Sequence, residues 1–263
     1  MMTTGSSLLQ WERAEIERSS VQAALTGRVS TATAKTILAR YANPPRDTAY
    51  SLEYAFHLLG DVRGQRVLDL GCGDGQFTTL VAARGAKVTA LDISTDLLGL
   101  ARVRADRDGF TGAVTPLCGS AHSIPVASNS VDVVFGMAVL HHLDLELAAA
   151  EVHRVLKPGG RAIFKEPMRN SRVVAAVRAM IPYRQPDISP FERPLRMAEM
   201  EAFASRFSRW QHKAFELPFV SLLSVIGAPK TWQDASYRYD ARLLRRFVRL
   251  REYASALVFE VTK

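Results

Sequence analysis

The sequence predicts an α/β fold: a seven-stranded, mostly parallel sheet with helices on both faces, one antiparallel edge strand and helical lid elements. Three observations predict it. Short apolar runs at Val67–Leu70, Lys87–Leu91, Ala113–Cys118, Val131–Phe135 and Arg161–Lys165 alternate with helical stretches at Phe77–Ala83, Asp96–Arg107 and Leu145–Leu156. Such alternation builds a parallel sheet buried on both faces. The first run ends in Gly71-Cys72-Gly73-Asp74-Gly75, a junction of strand, glycine loop and helix. Two late strands, Gln211–Leu217 and Ala256–Val261, with a helix over Ala198–Phe207 before them, suggest an antiparallel pair closing the sheet edge.

Ahead of the sheet the chain reads as helices. Ser30 is placed to cap one through Ala34, Ile37 and Leu38, and Ser51 another through Tyr54, Ala55, Leu58 and Leu59, with Pro44-Pro45 between them. After Pro167 the alternation pauses over a proline-containing stretch, and the segment from Pro218 to Tyr253 looks helical. No apolar run reaches the ~20 residues of a membrane span, and the N-terminus has no signal-peptide core. Cys72 and Cys118 are too few for a disulfide framework and fall in predicted core elements, so a reduced, cytoplasmic setting is expected. The net charge of +8 favours anionic partners without naming one.

Glycines let a ligand approach the backbone without a side chain in the way. Asp69 precedes Gly71 and Gly73, where a carboxylate can receive an ammonium group; Gln76 stands where a dinucleotide fold has its third glycine. Asp92 closes the second strand, placed to hold both hydroxyls of a ribose, and Ile93 can pack on an adenine. Ser94 or Thr95 can cap the following helix, which leaves Asp92 for the ligand. His141 and His142 follow the fourth strand and Glu166 ends the fifth, at the sheet end where open α/β folds bind ligands. No histidine and cysteine spacing of the zinc type occurs, so no metal is expected.

Val67 to Gly75, Ala90-Leu91-Asp92-Ile93-Ser94, Gly119-Ser120-Ala121, Ile124-Pro125, Ser130 to Val134, Leu140-His141-His142-Leu143 and Leu156-Lys157-Pro158-Gly159-Gly160 stand in one order and spacing. In these segments the chain resembles the class I S-adenosylmethionine-dependent methyltransferases, a Rossmann-like family, of the small-molecule "methyltransferase domain 11" type. The resemblance spans about Gly64 to Pro167. It implies S-adenosyl-L-methionine as cofactor. Gly71, Cys72 and Gly73 would line its methionine part, with Asp69 near the ammonium. Asp92 and Ile93 would take the ribose and adenine, and Ser120 and Ala121 the adenine edge. Many relatives have aspartate where Ser120 stands. Gly136 and Met137 would hold the methionine end through the backbone.

On this reading residues 1–263 form one domain: a helical cover over 1–60, a cofactor-binding core over 64–167, and insertions at 168–197 and 218–253 covering the acceptor side. The expected reaction is methyl transfer to a small-molecule acceptor, at oxygen or nitrogen, with an apolar, aromatic or lipid-like body. His141 is the expected proton acceptor or acceptor-orienting group, with Glu166 as the other catalytic candidate. Tyr41, Tyr50, His142 and Tyr183 are candidates for the acceptor side, and Phe56, Phe191 and Trp232 add aromatic surface there.

Two other function classes share some of these features. A nucleic-acid methyltransferase, acting on RNA for example, would use the positive charge, but no RNA-binding module is evident. Asn43-Pro44-Pro45 ends in Arg46 rather than an aromatic residue and follows a helical stretch, so it reads as a turn. A nicotinamide-dependent oxidoreductase is opposed by Gln76 and by the Leu156–Gly160 turn. Arg242, Arg245, Arg246 and Arg249 share one face of a basic amphipathic helix over 240–251. Solvated arginines are the expectation there, with peripheral membrane contact as the alternative. The sequence does not address oligomeric state.

Overall fold

The computed structural model describes residues 5–26, 33–169, 171, 193–225 and 227–263. Seven strands form one sheet: β1 (Arg66–Leu70), β2 (Lys87–Asp92), β3 (Val114–Cys118), β4 (Val131–Met137), β5 (Leu156–Pro167), β6 (Arg209–Phe215) and β7 (Ala256–Thr262), in the order β3-β2-β1-β4-β5-β7-β6. β1 to β5 pair in parallel. β7 enters antiparallel between β5 and β6. The antiparallel strand therefore sits one place in from the edge, and β6 at the edge runs with the others.

Around the sheet lie α1 (Gly5–Thr26), α2 (Lys35–Ala42), α3 (Ser51–Leu59), α4 (Gln76–Ala82), α5 (Thr95–Arg107), α6 (Leu145–Val155), α7 (Met197–Ala204), α8 (Pro218–Val225) and α9 (Lys230–Arg246). Alternate strand residues feed two cores. Leu68, Leu70, Val134 and Phe164 face α6 and α7 through Val152 and Phe203. Val67, Val133, Phe135 and Ile163 face α3 to α5 through Phe56, Leu80 and Leu98. Phe56 is thus a core residue, its ring centroid 5.1 Å from that of Phe135, and not acceptor-side cover. Cys118 is exposed because β3 is an outer strand, whereas Cys72 is buried as expected.

The helix ends are satisfied locally. Ser94 caps α5 by accepting from Leu97 N (3.3 Å), and Asp144 caps α6 by accepting from Glu146 N (3.0 Å) and Leu147 N (3.1 Å). Two arginines close the carboxyl end of α3: Arg84 donates to Phe56 O (2.7 Å) and Gly60 O (2.5 Å), and Arg161 to Leu58 O and to Leu59 O (2.8 Å). Cations suit this end, where carbonyls lack helical partners. α3 begins at Ser51 with Tyr50 as the residue before it. Ser30, the expected cap of α2, lies outside the described residues, and α2 begins after Ala34.

The segment expected to be helical after β6 forms α8, α9 and a 3-10 turn over Val248–Tyr253. α9 lays Ser236, Asp240 and Leu244 inward. Asp240 accepts from Leu217 N (3.1 Å) just past β6, while its other carboxyl oxygen has no hydrogen-bond partner among the described residues. Burial raises the Asp240 carboxyl to about 6; the bonds from Leu217 and Glu216 N–H oppose the rise, and the Glu216 charge adds to it. A folded pKa above the unfolded one means that the native state holds the proton more tightly. That stabilisation is complete below the unfolded pKa and is lost as pH rises through about 6. Asp240→Asn removes the titration. Thermal melts of both proteins should therefore show the variant gaining on the parent by about 1–3 kcal/mol between pH 4.5 and 7.5. A constant difference across that range would refute the burial cost.

Candidate active site

At the carboxyl ends of β1, β2 and β4 lies a cavity of about 390 Å³, within the usual size of small-molecule sites. Here the strand order reverses, β2 lying on one side of β1 and β4 on the other. The floor is the loop after β1. Gly71 N and Cys72 N both donate to Leu91 O at 2.9 Å, and Gly73 N donates to Asp92 Oδ2 at 2.8 Å, so the loop hangs from the end of β2. Asp92 Oδ1 accepts from Ser94 N at 2.9 Å. Gly73 has φ +55 and a Cβ there would meet nothing within 4 Å, so its backbone faces open space. Gly75 has φ +81 and a Cβ would fall 2.7 Å from Ala101 Cα, so it lets α4 close on α5. This is the close-packing role expected of a third glycine, one position before Gln76.

Of the residues singled out from the sequence, Gly71, Cys72, Gly73, Asp92, Ile93, Ser120, Ala121, Met137 and His142 line the cavity. Asp92 is buried at the wall, and burial is the main cause that raises its carboxyl. Cys72 is raised well above the usual thiol range, first by burial and then by the charges of Asp69 and Asp92.

Other expected residues stand elsewhere. Asp69 is buried beneath the loop, accepting from Thr78 Oγ1 at 2.5 Å, and is not on the cavity wall. Burial pushes its carboxyl up to about 7, against the Thr78 bond and with the Asp92 charge adding. Gly136 is a packing glycine: a Cβ would lie 2.7 Å from the Phe164 ring. Tyr41 packs on Phe56 (5.0 Å between centroids), and Tyr50 donates to Asp234 Oδ1 (2.9 Å); neither lines the cavity. Trp232 is exposed on α9. Tyr183 and Phe191 lie outside the described residues.

The end of β4 is held by Glu166. This carboxylate, expected at the cleft mouth, is fully buried. Its Oε1 accepts from Val139 N (3.0 Å) and Leu140 N (2.9 Å), and its Oε2 lies 2.8 Å from His141 Nδ1. Glu166 so draws His141 inward, and it is His142, its ring centroid 4.0 Å from that of His141, that reaches the cavity. Ala138, between Met137 and Val139 on the wall, holds φ +57 with its N–H donating to Lys165 O at 2.7 Å.

Sequence reading missed the other wall. α1 lies across the cavity with Trp11, Glu12, Glu15 and Arg18 facing in. Glu12 Oε1 accepts from Ser120 Oγ, and it lies 3.2 Å from His122 Nδ1. Asp144 N donates to His122 Nε2 (2.9 Å), so Nδ1 carries the proton and donates to Glu12. Glu15 Oε2 lies 3.3 Å from His142 Nδ1 and accepts from Arg18 Nε at 3.1 Å. The signal was the spacing of Trp11, Glu15, Arg18 and Gln22, which puts a polar set on one helical face.

Residues 68–164 match the family of the methyltransferase domain. The match runs from β1 into β5. The chain is 37% identical over 109 residues to the sterol 24-C-methyltransferase of Gibberella zeae, a match covering 41% of the chain and 29% of that protein. It is 33% identical over 151 residues to the ubiquinone biosynthesis O-methyltransferase of Sodalis glossinidius, covering 54% of the chain and 60% of that protein. The matches thus span less than two thirds of these curated relatives. The solved geranyl diphosphate C-methyltransferase of Streptomyces coelicolor A3(2) shares the fold over 96% of the chain and 97% of its own, with a TM-score of 0.61 at 14% identity.

The glycine loop after β1 supplies a test. Gly75→Ala is expected to cost at least about 2 kcal/mol, combining left-handed strain with a backbone clash, and Gly73→Ala only the strain, about 1–2 kcal/mol. Urea unfolding would measure both, and equal losses would show that the contact with Ala101 does not limit the approach of α4 to α5.

Proposed function

We propose that the protein transfers a methyl group from S-adenosylmethionine to the oxygen or nitrogen of a small-molecule acceptor. The observation that carries this reading is the cavity at the strand reversal, in which the glycine loop, Asp92-Ile93 and Ser120-Ala121 stand together. The donor set fits the group. Gly73 leaves room for the methionine part against the backbone, and Asp92 presents a buried carboxylate for ribose hydroxyls. Ile93 and Leu97 offer apolar surface for the adenine. When bound, S-adenosylmethionine supplies the electrophilic methyl group. Oxygen is the acceptor atom in the name of the ubiquinone-biosynthesis relative, which supports the O-methylation arm.

The chain's own residues do the rest. Asp92 binds and orients. α1 and the loop Gly119 to His122 exclude water over the cavity, which favours reaction by alignment. His142 is the group placed to take the acceptor's proton, and Glu15 Oε2 faces its Nδ1 at 3.3 Å. The Glu166–His141 pair acts behind it as a positioning unit, fixing the turn from which His142 projects. α1, which lies across the cavity, would shape the acceptor side.

Asp92→Ala should weaken S-adenosylmethionine binding about 100-fold, since charge-assisted hydrogen bonds at about 1.5–3 kcal/mol each are lost. Isothermal titration calorimetry of the folded variant would show it, and unchanged affinity would take Asp92 out of the site. His142→Ala should lower kcat by about 10²–10⁴-fold with cofactor affinity near the parent's. His141→Ala should lower kcat less and leave the pH profile in place. Steady-state rates against pH would decide; the larger loss in His141→Ala would return the proton to His141.

A further inference from the structure

We infer that the outward face of α9, with the turn that follows it, docks on the surface of an anionic lipid bilayer. Ser236, Asp240 and Leu244 bury the inner face of α9 at four-residue spacing. Trp232, one turn ahead of Ser236, and Tyr239 stand along the flank of that row, 65% and 58% exposed. Arg242 and Arg246 continue that side, both exposed. The helix ends at Phe247 (φ −123°, ψ 94°), where Phe247 and Val248 protrude 52% and 63% exposed beside Arg249. Among the described residues, the large exposed hydrophobics that are aromatic are Trp232, Tyr239 and Phe247, all in this one segment.

The exposed charges of α9 itself are all positive. Lys230, Arg238, Arg242, Arg245 and Arg246 are exposed, and so is Arg249 just beyond the helix. The carboxylates of α9 are turned away: Asp240 is buried against Leu217 N and Asp234 accepts from Tyr50 Oη at 2.9 Å. Two exposed acids do border the face: Glu252 in the turn, and Asp47, 3.5 Å from Arg245. Arginines around protruding tryptophan, tyrosine and phenylalanine complement a bilayer interface: anionic headgroups take the charge and the acyl boundary takes the apolar tips. A nucleic acid would use the arginines but leave Val248 without a gain. α9 is also fastened at the carboxyl edge of the sheet, the edge at which the cavity lies. The inference does not depend on the methyl-transfer reading.

The full chain would be floated with phosphatidylcholine vesicles and with phosphatidylcholine–phosphatidylglycerol vesicles. Binding to the anionic vesicles alone, weakening as salt rises, is expected. Arg242→Gln/Arg246→Gln/Arg249→Gln should lose about 100-fold in vesicle affinity, at about 1 kcal/mol per arginine. Phe247→Ser/Val248→Ser should lose at least about tenfold. Tryptophan emission of the parent should shift to the blue on adding anionic vesicles, and Trp232→Phe should abolish the shift. The proposal is overturned if the parent floats with neither vesicle, if it binds both equally, or if the arginine variant binds as the parent does. It is overturned equally if RNA displaces the parent from the vesicles, which would make the face a nucleic-acid surface.

Discussion

Where a parallel strand ends, the backbone turns into a loop whose N–H groups leave the ladder while still buried, and each needs an acceptor. In this protein carboxylates supply them along the carboxyl edge of the sheet. Asp92 takes Gly73 N and Ser94 N after β1 and β2. Glu166 takes Val139 N and Leu140 N after β4. Asp240, reaching over from α9, takes Leu217 N after β6. The loops that make the cavity are thus suspended from buried acids, and their shape holds only while those acids keep their N–H donors. A hydrophobic replacement at any of them would leave buried donors without acceptors, at about 1–3 kcal/mol for each group.

The same arrangement concentrates negative charge where water is scarce. Burial raises Asp92, and raises Asp69 to about 7 with the Asp92 charge contributing. Two carboxylates this close to one loop resist joint ionisation, and positive charge brought into the cavity would relieve them. A sulfonium cofactor with an ammonium group is cationic, so the electrostatics of the loop and the proposed ligand agree in sign. Asp69 can take part in this without touching the ligand, since a charge acts through the thin backbone layer of Gly71 to Gly73.

Much of the fold was legible because its signals are local. Val67 to Leu70 is an apolar run broken by Asp69 alone, buried on both faces, and the glycines after it hold φ values that only a turn of this kind needs. The cavity wall was legible for a related reason: Asp92-Ile93 and Ser120-Ala121 occupy strand ends, and strand ends converge by topology. The rest depends on side-chain direction in turns and on contacts far apart in sequence. His141 and His142 are neighbours in one 3-10 turn, and no periodicity says which faces the cavity; the choice is made by Glu166, 25 residues away. Gly136 and Phe56 resemble binding residues in composition, and only their neighbours across the sheet, Phe164 and Phe135, show them to be packing. Cys118 is exposed because of strand order, which no single strand encodes. The contacts of α1 join Glu12 to Ser120, 108 residues apart, so a polar helical face had no visible partner.

The two sides of the cavity are also held by different kinds of force. The sheet side is fixed by the two hydrophobic cores and by buried charge-assisted bonds. α1 is attached by polar contacts near its surface, Glu12 with His122, Glu15 with His142, and Ser20 Oγ donating to Asp96 Oδ2 at 2.9 Å. Side-chain contacts of this kind contribute about 0.5–1.5 kcal/mol each. Elements held in this way open at a lower free energy than the core. A ligand of this cavity can therefore enter by displacing α1 while the sheet edge stays intact.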